Sequence, residues 1–121
     1  MGKTILLVDD AASMRGLLSM TLNDAGYHAI EACDGRDALE KLRSASVNMV
    51  ITDLNMPNMN GLELIRALKA EKQFQFIPIV MLTTESADSM KREGQQAGAK
   101  AWVVKPFKPE SIVMVVKKII G

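Results

Sequence analysis

Two hydrophobic rhythms alternate along this chain five times, and that alternation restricts the fold more than any other feature. Short β-rich apolar runs occupy Ile5–Val8, Ala29–Ala32 (the weakest), Met49–Thr52, Ile79–Leu82 and Ala101–Val104. Three of them are nearly continuous in apolar character, as strands buried on both faces of a parallel sheet are. Between the runs lie helical patterns. Met14, Leu17, Leu18, Thr21, Leu22 and Ala25 recur at the i, i+3, i+4 spacing of one helix face and stop at Gly26, a residue suited to a left-handed helix end. Ala38, Leu39 and Leu42 repeat the rhythm, as do Leu64, Ile65 and Leu68, then Met90 and Ala97 before Gly98. A last helix is predicted from about Pro109 to Ile120.

Five strand-then-helix units predict an α/β fold with one parallel sheet and helices on both faces, because parallel neighbours need a crossover and the helix supplies it. The 121 residues suffice for one such domain spanning 1–121 and leave no room for a second. No linker, repeat or low-complexity segment interrupts them. Hydrophobic residues at 48% and charged residues at 24% are the balance of a globular chain, not of a disordered or membrane-embedded one. Apolar runs such as Ile112–Val116 fall far short of a bilayer span, and Ile5–Val8, followed at once by acids, is too short for a secretion leader. A cytoplasmic protein without membrane insertion is the expectation.

A formal net charge of +1 lacks the strongly basic footprint that direct nucleic-acid binding needs. The only histidine, His28, has no partner at metal-ligand spacing and reads as a surface or packing residue. The only cysteine, Cys33, cannot form an internal disulfide, fits a reducing compartment, and reads as a small, partly buried residue.

In an open parallel sheet, ligand sites form outside the carboxyl ends of the strands, where strand order reverses. Reading past each strand gives Asp9-Asp10 after the first, Asp53 after the third, Thr83 after the fourth and Lys105-Pro106 after the fifth. Carboxylates gathered at one edge repel one another, and a hard divalent cation with oxygen ligands, Mg²⁺ above all, relieves that repulsion. Such a cation also neutralises a phosphoryl group arriving on one carboxylate. A lysine then supplies a positive charge for a second phosphoryl oxygen, and a threonine a neutral donor for a third. Each element alone is a common turn or cap; together on one sheet edge they are the parts of a phosphorylation site.

The stretches Leu7-Val8-Asp9-Asp10, Thr52 to Gly61 (Thr-Asp-Leu-Asn-Met-Pro-Asn-Met-Asn-Gly) and Val103-Val104-Lys105-Pro106-Phe107 resemble the receiver domains of two-component response regulators, in order and at matching spacing over essentially the whole chain. The likeness is greatest to the stand-alone, CheY-like chemotaxis branch. It implies a flavodoxin-like three-layer sandwich with strand order 2-1-3-4-5 and five helices. It also implies that Asp53 accepts a phosphoryl group from a CheA-like histidine kinase. Asp10 would hold Mg²⁺ directly, Asp9 would act through the metal's water shell, and the backbone carbonyl of Asn55 would add a ligand beside Asp53. Lys105, through a cis bond to Pro106, would pair with the phosphoryl group, and Thr83 would swing to hydrogen-bond it. Trp102 stands where such proteins carry a switch aromatic, usually tyrosine.

The same resemblance places the output surface on the fourth helix, fifth strand and fifth helix, with the flagellar switch or another kinase as target. The expected state is a monomer or a weak, phosphorylation-dependent dimer. Ile112, Val113, Met114, Val115, Val116, Ile119 and Ile120 are too many for one buried stripe, so part of the last helix should be exposed. Ala87, Asp88 and Val115 stand where receivers that bind the flagellar switch tend to carry lysines, and Thr84 where a smaller residue is usual. Two other classes share parts of the pattern. Aspartate-nucleophile phosphatases of the haloacid dehalogenase type place a second acid two residues after the nucleophile, where this chain has Asn55. A flavodoxin-like cofactor binder needs a Ser/Thr/Gly-rich phosphate loop after the first strand, where Asp9-Asp10 would repel the phosphate.

Overall fold

The computed structural model describes residues 2–121. Its five strands are β1 (Thr4–Val8), β2 (His28–Ala32), β3 (Met49–Thr52), β4 (Ile79–Thr83) and β5 (Ala101–Val104). They alternate with α1 (Ala12–Asp24), α2 (Gly35–Ser44), α3 (Gly61–Lys69), α4 (Asp88–Ala97) and α5 (Pro109–Ile120). The strands form one parallel sheet in the order β2-β1-β3-β4-β5.

Strand side chains point alternately to the two faces, and each face has its own core. Leu6, Val8, Val50, Ile79 and Met81 pack with Ala38 and Leu42 of α2 and with Leu64, Ile65 and Leu68 of α3. Ile5, Leu7, Met49, Ile51, Val80 and Leu82 pack on the other face with Leu18 and Leu22 of α1 and Ile112 and Val116 of α5. Each such fully buried aliphatic side chain contributes about 1.5–3 kcal/mol over an exposed one. The central strands are apolar at every position but one threonine each (Thr4, Thr52 and Thr83), because both faces are covered. The outermost strand β2 is only partly buried, which is why Ala29–Ala32 is the faintest strand signal.

Three of the helices begin with readable chemistry. Asp34 caps α2 by accepting from the Asp37 N–H at 2.9 Å. Asn60 and Glu63 close a capping box at α3, satisfying two backbone donors reciprocally. Pro109 opens the first turn of α5, where its missing N–H costs nothing.

Three expectations need correction. Thr83 lies within β4 as its last residue, not after it, because its backbone pairs in register with Val104. Cys33 is exposed rather than partly buried: it follows the buried Ala32 just outside the sheet, and its backbone N–H bonds to Asp37. Leu17 is 41% exposed, on the outer flank of the α1 stripe whose centre is Leu18 and Leu22.

Candidate functional site

Register brings the acids together. Val8 of β1 pairs with Ala32 on one side and Thr52 on the other. The chain therefore leaves both central strands at one level: the Asp53 N–H donates to the Val8 carbonyl at 2.9 Å, and the Asp9 N–H to the Ala32 carbonyl at 3.1 Å. Asp9, Asp10 and Asp53 consequently present carboxylate oxygens within 4.8 Å of one another. Among the described residues this is the only such grouping of three or more potential metal ligands. At the end of β5, the Lys105 N–H donates to the Thr83 carbonyl at 2.8 Å, which seats the lysine beside the same edge. The Lys105-Pro106 bond is cis.

The site is a compact set of opposed charges. Lys105 Nζ lies 3.1 Å from Asp9 Oδ2 and 3.7 Å from Asp53 Oδ2, so its nearer partner is Asp9. Asp9 is 3% exposed, and its other oxygen accepts from the Ala11 N–H at 2.9 Å. Asp53 is half-buried, and its Oδ1 accepts from the Leu54 N–H at 2.8 Å. Burial pushes the Asp53 carboxyl above the ordinary range; Lys105 opposes that shift, and the neighbouring Asp9 and Asp10 reinforce it. Asp10 is exposed. Three acids against one lysine leave the cluster short of positive charge, and their donor set of carboxylate oxygens fits a hard divalent cation.

Asn55 sits two residues beyond Asp53 in the loop between β3 and α3, on the same side of the sheet. Thr83 is fully buried, and its hydroxyl oxygen accepts from the Glu85 N–H at 3.2 Å. Trp102, in the middle of β5, is partly buried and donates its indole N–H to the Glu85 carbonyl at 2.8 Å. Thr84, the bulkier residue, is exposed beside the site.

A receiver-family model, the response regulator receiver domain, matches residues 5–117. The chain belongs to the response-regulator receiver family. Within that family it is 39% identical to the chemotaxis protein CheY1 of Helicobacter pylori, covering 97% of this chain and 96% of that one. It is 38% identical to the chemotaxis protein CheY of Pseudomonas aeruginosa, covering 95% and 94%. The high-resolution structure of the chemotaxis response regulator CheY4 of Vibrio cholerae superimposes with a TM-score of 0.93, at 42% identity over 99% of this chain and 100% of that one. The strand order and helix count match the family's fold. No described helix is long and apolar enough to cross a membrane.

Four residues around the receiver site carry roles that the sequence did not assign. Arg15 donates from Nη1 to the Asp9 carbonyl at 2.6 Å and from Nε to Glu31 at 3.2 Å, tying α1 to the end of β1. Glu85 contributes only its backbone to the Thr83–Trp102 link. Asp34 and Asn58 are joined at 2.8 Å across two loops. Asp34 alone had a signal, as an N-cap type ahead of a helical run.

Proposed function

We propose that this chain is a single-domain response regulator of the chemotaxis type, phosphorylated on Asp53. The meeting of Asp53 with Asp9, Asp10 and Lys105 at one strand-end edge carries this reading. An Asp53 carboxylate oxygen attacks phosphorus, the bond from phosphorus to a histidine nitrogen of the donor kinase breaks, and the histidine takes up a proton. Bound Mg²⁺, held by Asp10, Asp53 and the Asn55 carbonyl with Asp9 nearby, would supply the positive charge that offsets the phosphoryl oxygens. Lys105, already between Asp9 and Asp53, turns its ammonium to one phosphoryl oxygen. Thr83 supplies a hydroxyl donor to another.

Phosphorylation adds as many as about two negative charges and three strong acceptors. Thr83 answers that charge by moving, and the Glu85 peptide and Trp102 move with it. A preference of a few kcal/mol for one packing inverts the populations. Output then passes through α4, β5 and α5, where Met114 is 70% exposed and Lys100, Ala101, Val115, Lys118 and Ile119 line a groove. A CheA-like histidine kinase is the donor, and the target is the flagellar switch or another kinase.

Proteins of this class signal rather than turn over substrate, and Asn55 in place of a second acid agrees with that. The test is incubation with acetyl phosphate with and without Mg²⁺, followed by mass spectrometry. An 80 Da gain that needs Mg²⁺ and disappears in Asp53→Asn supports the reading; undiminished modification of Asp53→Asn ends it.

A further inference from the structure

The loop from Asp53 to Asn60 is fastened at its base and at its tip in different ways. At the base, Leu54 is buried, its N–H bonds to Asp53, and its carbonyl accepts from the Gly61 N–H at 2.8 Å. The exposed tip has one polar tie to another element: Asn58 Nδ2 donates to Asp34 Oδ2 at 2.8 Å. Asp34 divides its carboxylate, one oxygen capping α2 at the Asp37 N–H and the other holding Asn58. Asn58 has φ +67°, the left-handed region that few side-chain-bearing residues other than Asn and Asp enter. Beside it, Met59 lies where a Cβ on Gly35 would stand, 2.6 Å from its Cγ, so the loop presses directly on the first turn of α2. Asn55 lies between the two fastenings.

We propose that Asp34 and Asn58 are positioning residues: their hydrogen bond holds the acceptor loop against α2 and thereby fixes the Asn55 carbonyl relative to Asp10 and Asp53. This rests on the reading of the acid cluster as a cation site. The bond shortens the free loop, so the cation meets a preset ligand instead of ordering one on binding. The cap and the loop share one carboxylate, which makes divalent-cation affinity depend on a residue that touches no cation.

The test uses two variants chosen to leave the fold intact. Asn58→Gly keeps the left-handed backbone without the amide, and Asp34→Ser keeps an N-cap oxygen without the second acceptor. Calorimetric titration with MgCl₂ gives the dissociation constant, and thermal unfolding in EDTA gives the stability of the metal-free protein. Each variant should bind Mg²⁺ about 3- to 10-fold more weakly while its melting temperature in EDTA stays close to the parent's. The double variant should be no weaker than the weaker single, since both remove one bond. Parental affinity in both singles, or losses that multiply in the double, overturns the proposal while leaving the cation site standing. A parent protein that takes up no Mg²⁺ overturns the cation reading itself.

Discussion

Trp102 donates its indole N–H to the Glu85 carbonyl at 2.8 Å, and the N–H of that same Glu85 donates to the Thr83 hydroxyl at 3.2 Å. The buried threonine and the partly buried tryptophan are thus joined through one residue's backbone. A hydroxyl drawn toward Asp53 takes the acceptor away from Glu85, and the carbonyl that holds the indole must respond. Trp102, the only tryptophan, reports that movement by its fluorescence. Mg²⁺ should change the emission, and beryllofluoride, an acyl phosphate mimic, should change it again. Thr83→Ala should keep the first step and lose most of the second, with about 1–2 kcal/mol of stability lost from the stranded Glu85 N–H. An unchanged beryllofluoride response in Thr83→Ala would show that the aromatic is not driven through this link.

Lys105 and a divalent cation would compete for the same oxygens, since the ammonium lies 3.1 Å from Asp9 and 3.7 Å from Asp53. Lys105→Ala removes the internal competitor and leaves three acids unrelieved. Its metal-free form should be less stable by about 1–2 kcal/mol, and its Mg²⁺ affinity should rise severalfold. Chemical denaturation in EDTA and calorimetric titration measure the two effects. Weaker Mg²⁺ binding in the variant would mean that the lysine holds the carboxylates in place more than it competes for them.

Asp53 gives a pH dependence whose sign follows from its raised carboxyl. The folded state holds the proton more tightly than the unfolded state, so this group's contribution falls as pH rises from the ordinary carboxylate range through the folded value. Above that window the ionised, half-buried carboxylate costs stability. Asp53→Asn in EDTA should therefore be more stable than the parent at pH 7, on the order of 1 kcal/mol, the scale of interaction between neighbouring partly exposed charges. The gain should shrink as pH falls into the carboxylate range. Thermal unfolding at several pH values checks this; a gain that grows on acidification contradicts the assignment.

Alternation of short, nearly continuous apolar runs with period-3.6 patterns made the fold legible, because strands β1, β3 and β4 are buried on both faces and carry little but apolar residues. The acids and the lysine were legible because Asp9, Asp53 and Lys105 each sit one residue past a strand and Asp10 two, positions countable in sequence. The link between Asp34 and Asn58 was not, although Asp34 is visible as an N-cap type. Their bond spans 24 residues and depends on a left-handed backbone at Asn58 that no local pattern specifies. Arg15 was hidden for a similar reason: its target is the Asp9 backbone, and backbone acceptors leave no trace in composition. Glu85 joins Thr83 to Trp102 with no use of its side chain in either bond, so any residue but proline could supply the N–H there.

Gly94 is where the position of the indole can be tested without touching either partner of its hydrogen bond. It is the one buried residue of α4, and a Cβ added there would stand 2.5 Å from Trp102 Cζ3 and 2.8 Å from Cε3. Such distances are too short to persist, so Gly94→Ala must move either the ring or the helix. Alanine in a helix interior is favoured over glycine by about 1 kcal/mol, which partly offsets the roughly 1–3 kcal/mol typical of overpacking. The ring has the easier route, because β5 is an edge strand and Trp102 is already partly exposed. Its departure breaks the bond to the Glu85 carbonyl, a net loss of about 1 kcal/mol. The variant should fold with a stability deficit of at most about 2–3 kcal/mol, emit at longer wavelength, and be quenched more readily by acrylamide. Beryllofluoride should then change the emission little, since the indole has already left the peptide that moves. If Gly94→Ala keeps the parent's buried emission and full beryllofluoride response, α4 has shifted instead, and coupling between Thr83 and Trp102 does not depend on the close seat that glycine provides.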